Sequence, residues 1–348
     1  MTNSASDSAF TAFDVEWPLD DTMVEGTIVR PGGDGPFPGV VFIAGSGPTD
    51  RDWCTPLLPG TNGSARLLAE RLARAGFASI RYDKRASGPR APENMPKLVG
   101  KLSMQSHLDE LAGAVHALAS HPWVRRDAIF AVGNSEGTLH AMRYAIEHHD
   151  TTHDATHDVP LAGVVLIAPP GRSVGVVARS QLAAQLTAVP NGGDLMARYD
   201  EAAARYAAGE PANADPSLPP GMQGLLQALE TPANLPFARE LWTTDGAALL
   251  PNVDVPVLVV IGKKDIQVDW RLDGDPLQQA VVGRDNVDFI FPENANHVLK
   301  HEPKARADLD AAAVAAYNAA DAVLDPEATD AIVRWLVARG RRGEVAGG

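Results

Sequence analysis

Ser135, Asp265 and His297 are the side chains in this 348-residue chain whose types, order and local settings suit nucleophilic catalysis. A serine hydroxyl is a poor nucleophile at neutral pH. It needs a base to take its proton and a carboxylate to hold that base in one tautomer. Ser135 lies in Gly133-Asn134-Ser135-Glu136-Gly137, a G-x-S-x-G pentapeptide. The apolar run Ala128-Ile129-Phe130-Ala131-Val132 leads in and a helix-forming run, residues 138–144, leads out. That is the strand, sharp turn and helix a nucleophile elbow requires. Glycines beside the serine let the backbone bend without a clash. The turn would lift the hydroxyl out of the sheet and leave the next backbone N–H at a helix N-terminus, where it can stabilise an oxyanion.

Each of the three has rivals. Gly171-Arg172-Ser173-Val174-Gly175 repeats the pentapeptide pattern, but Pro169-Pro170 separates it from the strand at 161–168. Residues 176–250 then offer helix and proline, with no further strand to carry an acid. Past Ser135, the apolar strand 255–261 ends in Gly262-Lys263-Lys264-Asp265. Asp269 is close enough to compete, whereas Asp254 lies at the wrong end of that strand. Residues 287–291 form a last strand, followed by Pro292-Glu293-Asn294-Ala295-Asn296-His297. His301 is a rival base in the same region. His107, His116 and His140 fall on helical stretches, where packing or surface roles are expected. The order serine, acid, histidine is the one a doubly wound sheet uses.

These positions imply the elements that hold them. Residues 13–17 and 24–29 alternate as an antiparallel pair at a sheet edge. Residues 39–44 form a continuous apolar run, as in a parallel strand buried on both faces. The loop Gly45-Ser46-Gly47-Pro48-Thr49-Asp50-Arg51-Asp52 follows. It lacks either phosphate-binding glycine pattern, so its expected use is a second oxyanion N–H opposite the elbow. A helix at 64–74 stops near Gly76, a strand spans 78–83, and 84–101 reads as a long polar loop. Leu108, Leu111, Val115 and Leu118 make a helical stripe closed by His121-Pro122, and Ile332, Val333, Leu336 and Val337 a final helix. Strands alternating with helices predict an α/β fold with a mostly parallel, doubly wound sheet. Helical pieces at 178–189, 195–208, 222–230 and 237–242 break the alternation and predict an inserted helical lid over 172–250. Its Leu182, Leu186, Leu225, Leu226, Leu235, Phe237, Leu241 and Trp242 suit either a pocket wall or the lid's own core. The core is then expected over 13–171 and 251–340, with a flexible leader at 1–12 and a tail at 341–348.

Composition narrows the class of partner. A net charge of −14 disfavours nucleic acid and anionic membrane surfaces. Cys54 is the one cysteine, so an internal disulfide is excluded. The first residues carry no basic and apolar signal pattern, and no apolar run reaches the ~20 residues a membrane span needs. A cytoplasmic protein is expected. His148, His149, His153 and His157 are interleaved with aspartates but match no fixed metal-ligand spacing. A solvated loop, with no metal and no cofactor, is the reading there. Arg51, Lys84, Arg85 and Arg90 leave open a local basic patch or a set of ion pairs.

Taken together, Gly45-Ser46-Gly47-Pro48 with Asp50-Arg51-Asp52, Arg81-Tyr82-Asp83-Lys84-Arg85, Gly133-Asn134-Ser135-Glu136-Gly137, Gly262-Lys263-Lys264-Asp265 and Asn296-His297-Val298-Leu299-Lys300 make a specific set. The chain resembles an α/β-hydrolase, of the bacterial carboxylesterase branch related to prolyl-oligopeptidase-like and dienelactone-hydrolase-like enzymes. The resemblance implies Ser135 as nucleophile, His297 as base, Asp265 as its orienter, and the backbone N–H groups of Ser46 and Glu136 as oxyanion hole. It departs from the usual pattern at Ala44 and Asn134, where histidines are common, and in the loop after Arg85. The implied activity is hydrolysis of a small to medium ester through an acyl-enzyme. Amide, peptide or thioester hydrolysis and acyl transfer remain alternatives on the same triad, as does a non-catalytic ligand-binding protein. The implied partner is a small-molecule ester, with a homodimer left open.

Overall fold

A computed structural model describes residues 9–149, 159–187 and 189–341. Among them, eight strands make one sheet: β1 Phe10–Leu19, β2 Thr22–Pro31, β3 Phe37–Ile43, β4 Ala78–Tyr82, β5 Val124–Asn134, β6 Gly163–Ile167, β7 Val257–Val260 and β8 Val287–Ile290. Their order is β1-β2-β4-β3-β5-β6-β7-β8. β1 and β2 pair antiparallel, as do β2 and β4, and the other pairs are parallel. The expected mostly parallel sheet with an antiparallel edge is therefore present. The order turns back once, since β4 lies on one side of β3 and β5 on the other. Right-handed crossovers running in opposite directions wind the sheet on both faces. They also open a crevice at the carboxyl ends of β3 and β5, the place where such sheets bind ligands.

Among the described residues, twelve α-helices accompany the strands: α1 Ser64–Arg74, α2 Ala91–Leu98, α3 Met104–Ala119, α4 Glu136–Glu147, α5 Val174–Leu186, α6 Gly192–Ala207, α7 Pro220–Glu230, α8 Phe237–Thr243, α9 Gly246–Leu249, α10 Gly274–Ala280, α11 Ala311–Ala315 and α12 Pro326–Gly340. The fully buried β6 and β7 have the continuous apolar character expected of strands covered on both faces. α1 buries Leu68, Ala69, Leu72 and Ala73 along one side, and the chain leaves it through Gly76 at φ +88°. Two expectations need correction. α2 stands inside the stretch expected as loop, seeded by Pro92 in its first turn. Its buried Asn94 ties it to β2 by donating to Met23 O at 2.8 Å and accepting from Met23 N at 3.3 Å. The expected leader 1–12 also ends early, because β1 begins at Phe10; residues 1–8 and 342–348 lie outside the described residues.

Helices α5 to α9 all fall between β6 and β7. α5 to α8 share a hydrophobic cluster of their own, centred on Tyr199, Tyr206, Met222, Leu226 and Trp242, whereas Ala247 and Leu249 of α9, with Phe237 and Leu241 of α8, pack against the main core around the sheet. The ends of the segment meet, with Val174 N donating to Thr244 O at 3.2 Å and Ser173 bridged to Asp245. Among the described residues, no helix is long and apolar enough to cross a membrane.

Candidate active site

β5 delivers the elbow. Ser135 caps α4 with φ 53° and ψ −121°, a left-handed conformation that non-glycine residues rarely adopt. Its N–H is satisfied by Ile167 O of β6 at 2.8 Å. The flanking glycines are required by close approach. A Cβ on Gly133 would stand 2.5 Å from Gly137 O, and one on Gly137 would stand 2.5 Å from Ile43 O and 2.7 Å from Ala44 O. The elbow is thus pressed against the end of β3, which sets the loop Gly45–Gly47 beside it.

His297 comes from the loop after β8. A tight turn holds it: Asn296 Oδ1 accepts the N–H groups of Val298 at 3.1 Å and Lys300 at 2.9 Å, and Leu299 sits at φ 62°. Asn134 reaches across, its side-chain amide donating to His297 O at 2.9 Å. Beyond Lys300, the buried Nζ donates to Asn62 O at 2.8 Å and Ala322 O at 3.1 Å, anchoring the loop from behind.

Asp265 is fully buried past the end of β7. Its Oδ1 accepts from the N–H groups of Gln267 at 2.7 Å and Val268 at 3.0 Å, and Oδ2 accepts from His297 Nδ1 at 2.8 Å. That contact fixes the imidazole so that Nε2 is the free nitrogen. Asp269 pairs instead with Arg306 at 2.6 Å and caps the N–H groups of Arg271 and Leu272. His301 also has a carboxylate, Asp325 at 3.0 Å, but Asp325 is the N-cap of α12. Ser173 has an ordinary extended backbone at the start of α5.

Ser135 and His297 line one cavity of about 510 Å³. Gly45, Ser46 and Glu136 line the same space, whereas Ser173, Asp269 and His301 are not among its walls. The inserted helices contribute Val174, Val177, Gln181, Leu225, Phe237, Leu241 and Trp242, so part of that apolar set faces the cavity and part, with Leu226, fills the segment's own core. Tyr317 and Asn318 also line it. They come from the stretch between β8 and α12, which has neither helical nor strand periodicity to draw attention to it. Trp53 and Gln181 were equally unmarked in the sequence.

The basic side chains past β3 and β4 are all paired. Arg51 meets Asp83 at 2.7 Å and Glu25 at 3.1 Å, and Arg90 meets Glu25 at 2.6 Å, Glu16 at 2.9 Å and Glu93 at 3.1 Å. Arg85 meets Glu110 at 3.0 Å, and Lys84 meets Glu136 at 3.5 Å. His107 shares Glu110 at 2.9 Å, and His140 shares Glu136 at 3.3 Å. Burial opposes ionisation of both carboxyls, yet Lys84 and His140 hold Glu136 well below its usual range, and His107 and Arg85 lower Glu110. Burial lowers the His140 imidazole, against the pull of Glu136. His148 and His149 are described, with Nδ1 atoms 3.1 Å from Tyr144 O and 2.9 Å from Ile146 O. The remainder of the histidine-rich loop, 150–158, lies outside the described residues, and the metal question with it.

Comparison with known proteins gives a consistent lineage. The profile described as "Alpha/beta hydrolase family" matches residues 40–316. Esterase EstD of Thermotoga maritima is 24% identical over 282 residues, covering 79% of this chain and 57% of EstD, so the chain spans little more than half of that relative. Among solved structures, proline iminopeptidase of Mycobacterium smegmatis superposes with a TM-score of 0.54 at 14% identity, covering 95% of this chain and all of that one. An esterase of Pyrococcus furiosus superposes with a TM-score of 0.52 at 16% identity, covering 95% and 92%. Those two likenesses speak to the fold.

Proposed function

The chain belongs to the alpha/beta hydrolase family, and from that premise we propose that it is a cofactor-independent serine carboxylesterase. The observation that carries the proposal is that His297, held by the buried Asp265 at 2.8 Å, lines the same cavity that Ser135 enters from a left-handed elbow. In this reading His297 Nε2 takes the Ser135 proton as Oγ attacks the ester carbonyl, and Asp265 stabilises the imidazolium. The N–H groups of Ser46 and Glu136 receive the oxyanion. His297 then protonates the leaving alcohol, and water attacks the acyl-enzyme by the same route.

The walls favour an uncharged ester with an apolar acyl or alcohol part. Among the described residues lining the cavity, the one acidic side chain is Glu136, already engaged by Lys84 and His140, and none is Lys or Arg. A free peptide N-terminus or a substrate carboxylate would find no free counter-charge there. The inserted helices act as a lid that excludes water.

Intact mass after fluorophosphonate treatment tests the reading. One adduct on wild type and on Ser173→Ala, absent from Ser135→Ala, is expected. An adduct retained by Ser135→Ala would remove the assignment. Neutral ester, thioester and amide panels then rank the bond cleaved, with esters expected fastest.

A further inference from the structure

Lys84 is a buried cation that the triad does not use. Its Nζ donates to Gly45 O at 2.6 Å and stands 3.5 Å from Glu136 Oε1. Both Lys84 and Glu136 are nearly inaccessible to solvent, at 5% and 3%. The two contacts are to the two segments expected to donate to the oxyanion. Gly45 O belongs to the same peptide unit as Ser46 N–H, and a planar trans peptide fixes the direction of the N–H once its C=O is held. An ammonium on that carbonyl also polarises the amide, making the N–H a better donor. Glu136 supplies the other expected N–H from its backbone, and its side chain is the ion-pair partner of the same ammonium.

We propose that Lys84 is a positioning residue for the oxyanion hole, a single cation that locks the Ser46 donor to the Glu136 donor. The proposal rests on the esterase reading above and assigns a task to a side chain that touches no substrate. His140 Nε2, 3.3 Å from the same Glu136 oxygen, holds the carboxylate from the α4 side. Phe237, from the inserted helices, packs against the His107 ring at a centroid distance of 4.4 Å, and the His107 and His140 rings lie 5.1 Å apart. The cation's neighbourhood is therefore dry and preorganised, the condition under which such donors act most strongly.

The test compares wild type, Lys84→Met, Glu136→Gln and the double variant for kcat, KM and thermal midpoint on a neutral aryl ester. Lys84→Met alone strands a buried carboxylate, whereas removing both charges leaves none unpaired. The expected result is a kcat lowered by about 10²–10³ in Lys84→Met with KM within about threefold, since the lost interaction belongs to the transition state. In the double variant the thermal midpoint returns toward wild type while kcat stays low. Should kcat recover together with the midpoint, Lys84 is merely structural and the proposal falls. An unchanged kcat in Lys84→Met overturns it equally. A wild type that turns over no ester and takes no phosphonate at Ser135 removes the esterase reading and this proposal together; an active wild type beside an equally active Lys84→Met removes this proposal alone.

Discussion

Asp265 and Asp269 follow the same strand, and their partners separate them. Asp265 faces the imidazole, and Asp269 faces Arg306 and two backbone N–H groups. Replacing Asp265 by Asn would present an amide N–H toward Nδ1 and favour the wrong tautomer. We expect Asp265→Asn to lower kcat by about 10⁴. Asp269→Asn should leave kcat within about threefold while weakening the half-buried Arg306 pair. Steady-state kinetics of the two variants settle the matter, and equal losses in both would refute the distinction. The candidates Ser135 and His297 were legible because a glycine-flanked serine and a loop histidine each follow a recognisable strand. The choice between aspartates was less so, because it depends on which carboxylate the fold turns inward. The tasks of Asn134 and Lys84 were not legible at all. One is a bond to a backbone carbonyl 163 positions away and the other to a carbonyl 39 positions away, and neither leaves a local pattern.

At the scale of elements, the tightest fit is the elbow against the end of β3. Gly137→Ala would drive a methyl into the Ile43 and Ala44 carbonyls. A cost of about 1–3 kcal/mol is expected from overpacking at a site that cannot relax, read as a lower urea midpoint with an unchanged slope. Gly224→Ala, where no heavy atom stands within 4 Å, is the control and should be neutral or mildly stabilising. In the inserted helices, Trp242 both fills their core and walls the cavity. Trp242→Ala should raise KM for long-acyl esters well above its effect on acetate esters, and cost about 3–5 kcal/mol of local stability. Equal KM changes across chain lengths would place the acyl group elsewhere. The helices from α5 to α8 were visible as helix-forming pieces between proline-rich breaks, though α5 begins at Val174, ahead of the expected 178. α2 was missed because its Pro92 and Pro96 and polar residues read as loop, and it is held by contacts distant in sequence, Asn94 on Met23 of β2 and Lys97 on Asp21 O, together with the buried Leu98.

For the whole molecule, alternation of apolar runs revealed the parallel sheet, but strand order did not follow from it. Placing β4 outside β3 depends on crossover handedness and pairing between distant segments. The buried carboxylates give the molecule a defined acid response. Glu110 and Glu136 have folded-state values below the unfolded value of 4.5. As pH falls below about 4.5 the unfolded chain takes up protons that the folded chain refuses, so stability present above that point is lost on the acid side. Thermal midpoints measured from about pH 6 down to about pH 3 should therefore fall more steeply for wild type than for Lys84→Met/Glu136→Gln; parallel curves would contradict this. The inserted helices enter and leave the sheet through one doorway, where Ser173 meets Asp245 and Val174 meets Thr244. A segment with paired ends and a separate core is an exchangeable cassette. Replacing everything between those two anchors with helices of another sequence should redraw the cavity above Ser135 while Ser135, Asp265 and His297, which lie outside the segment, stay in register.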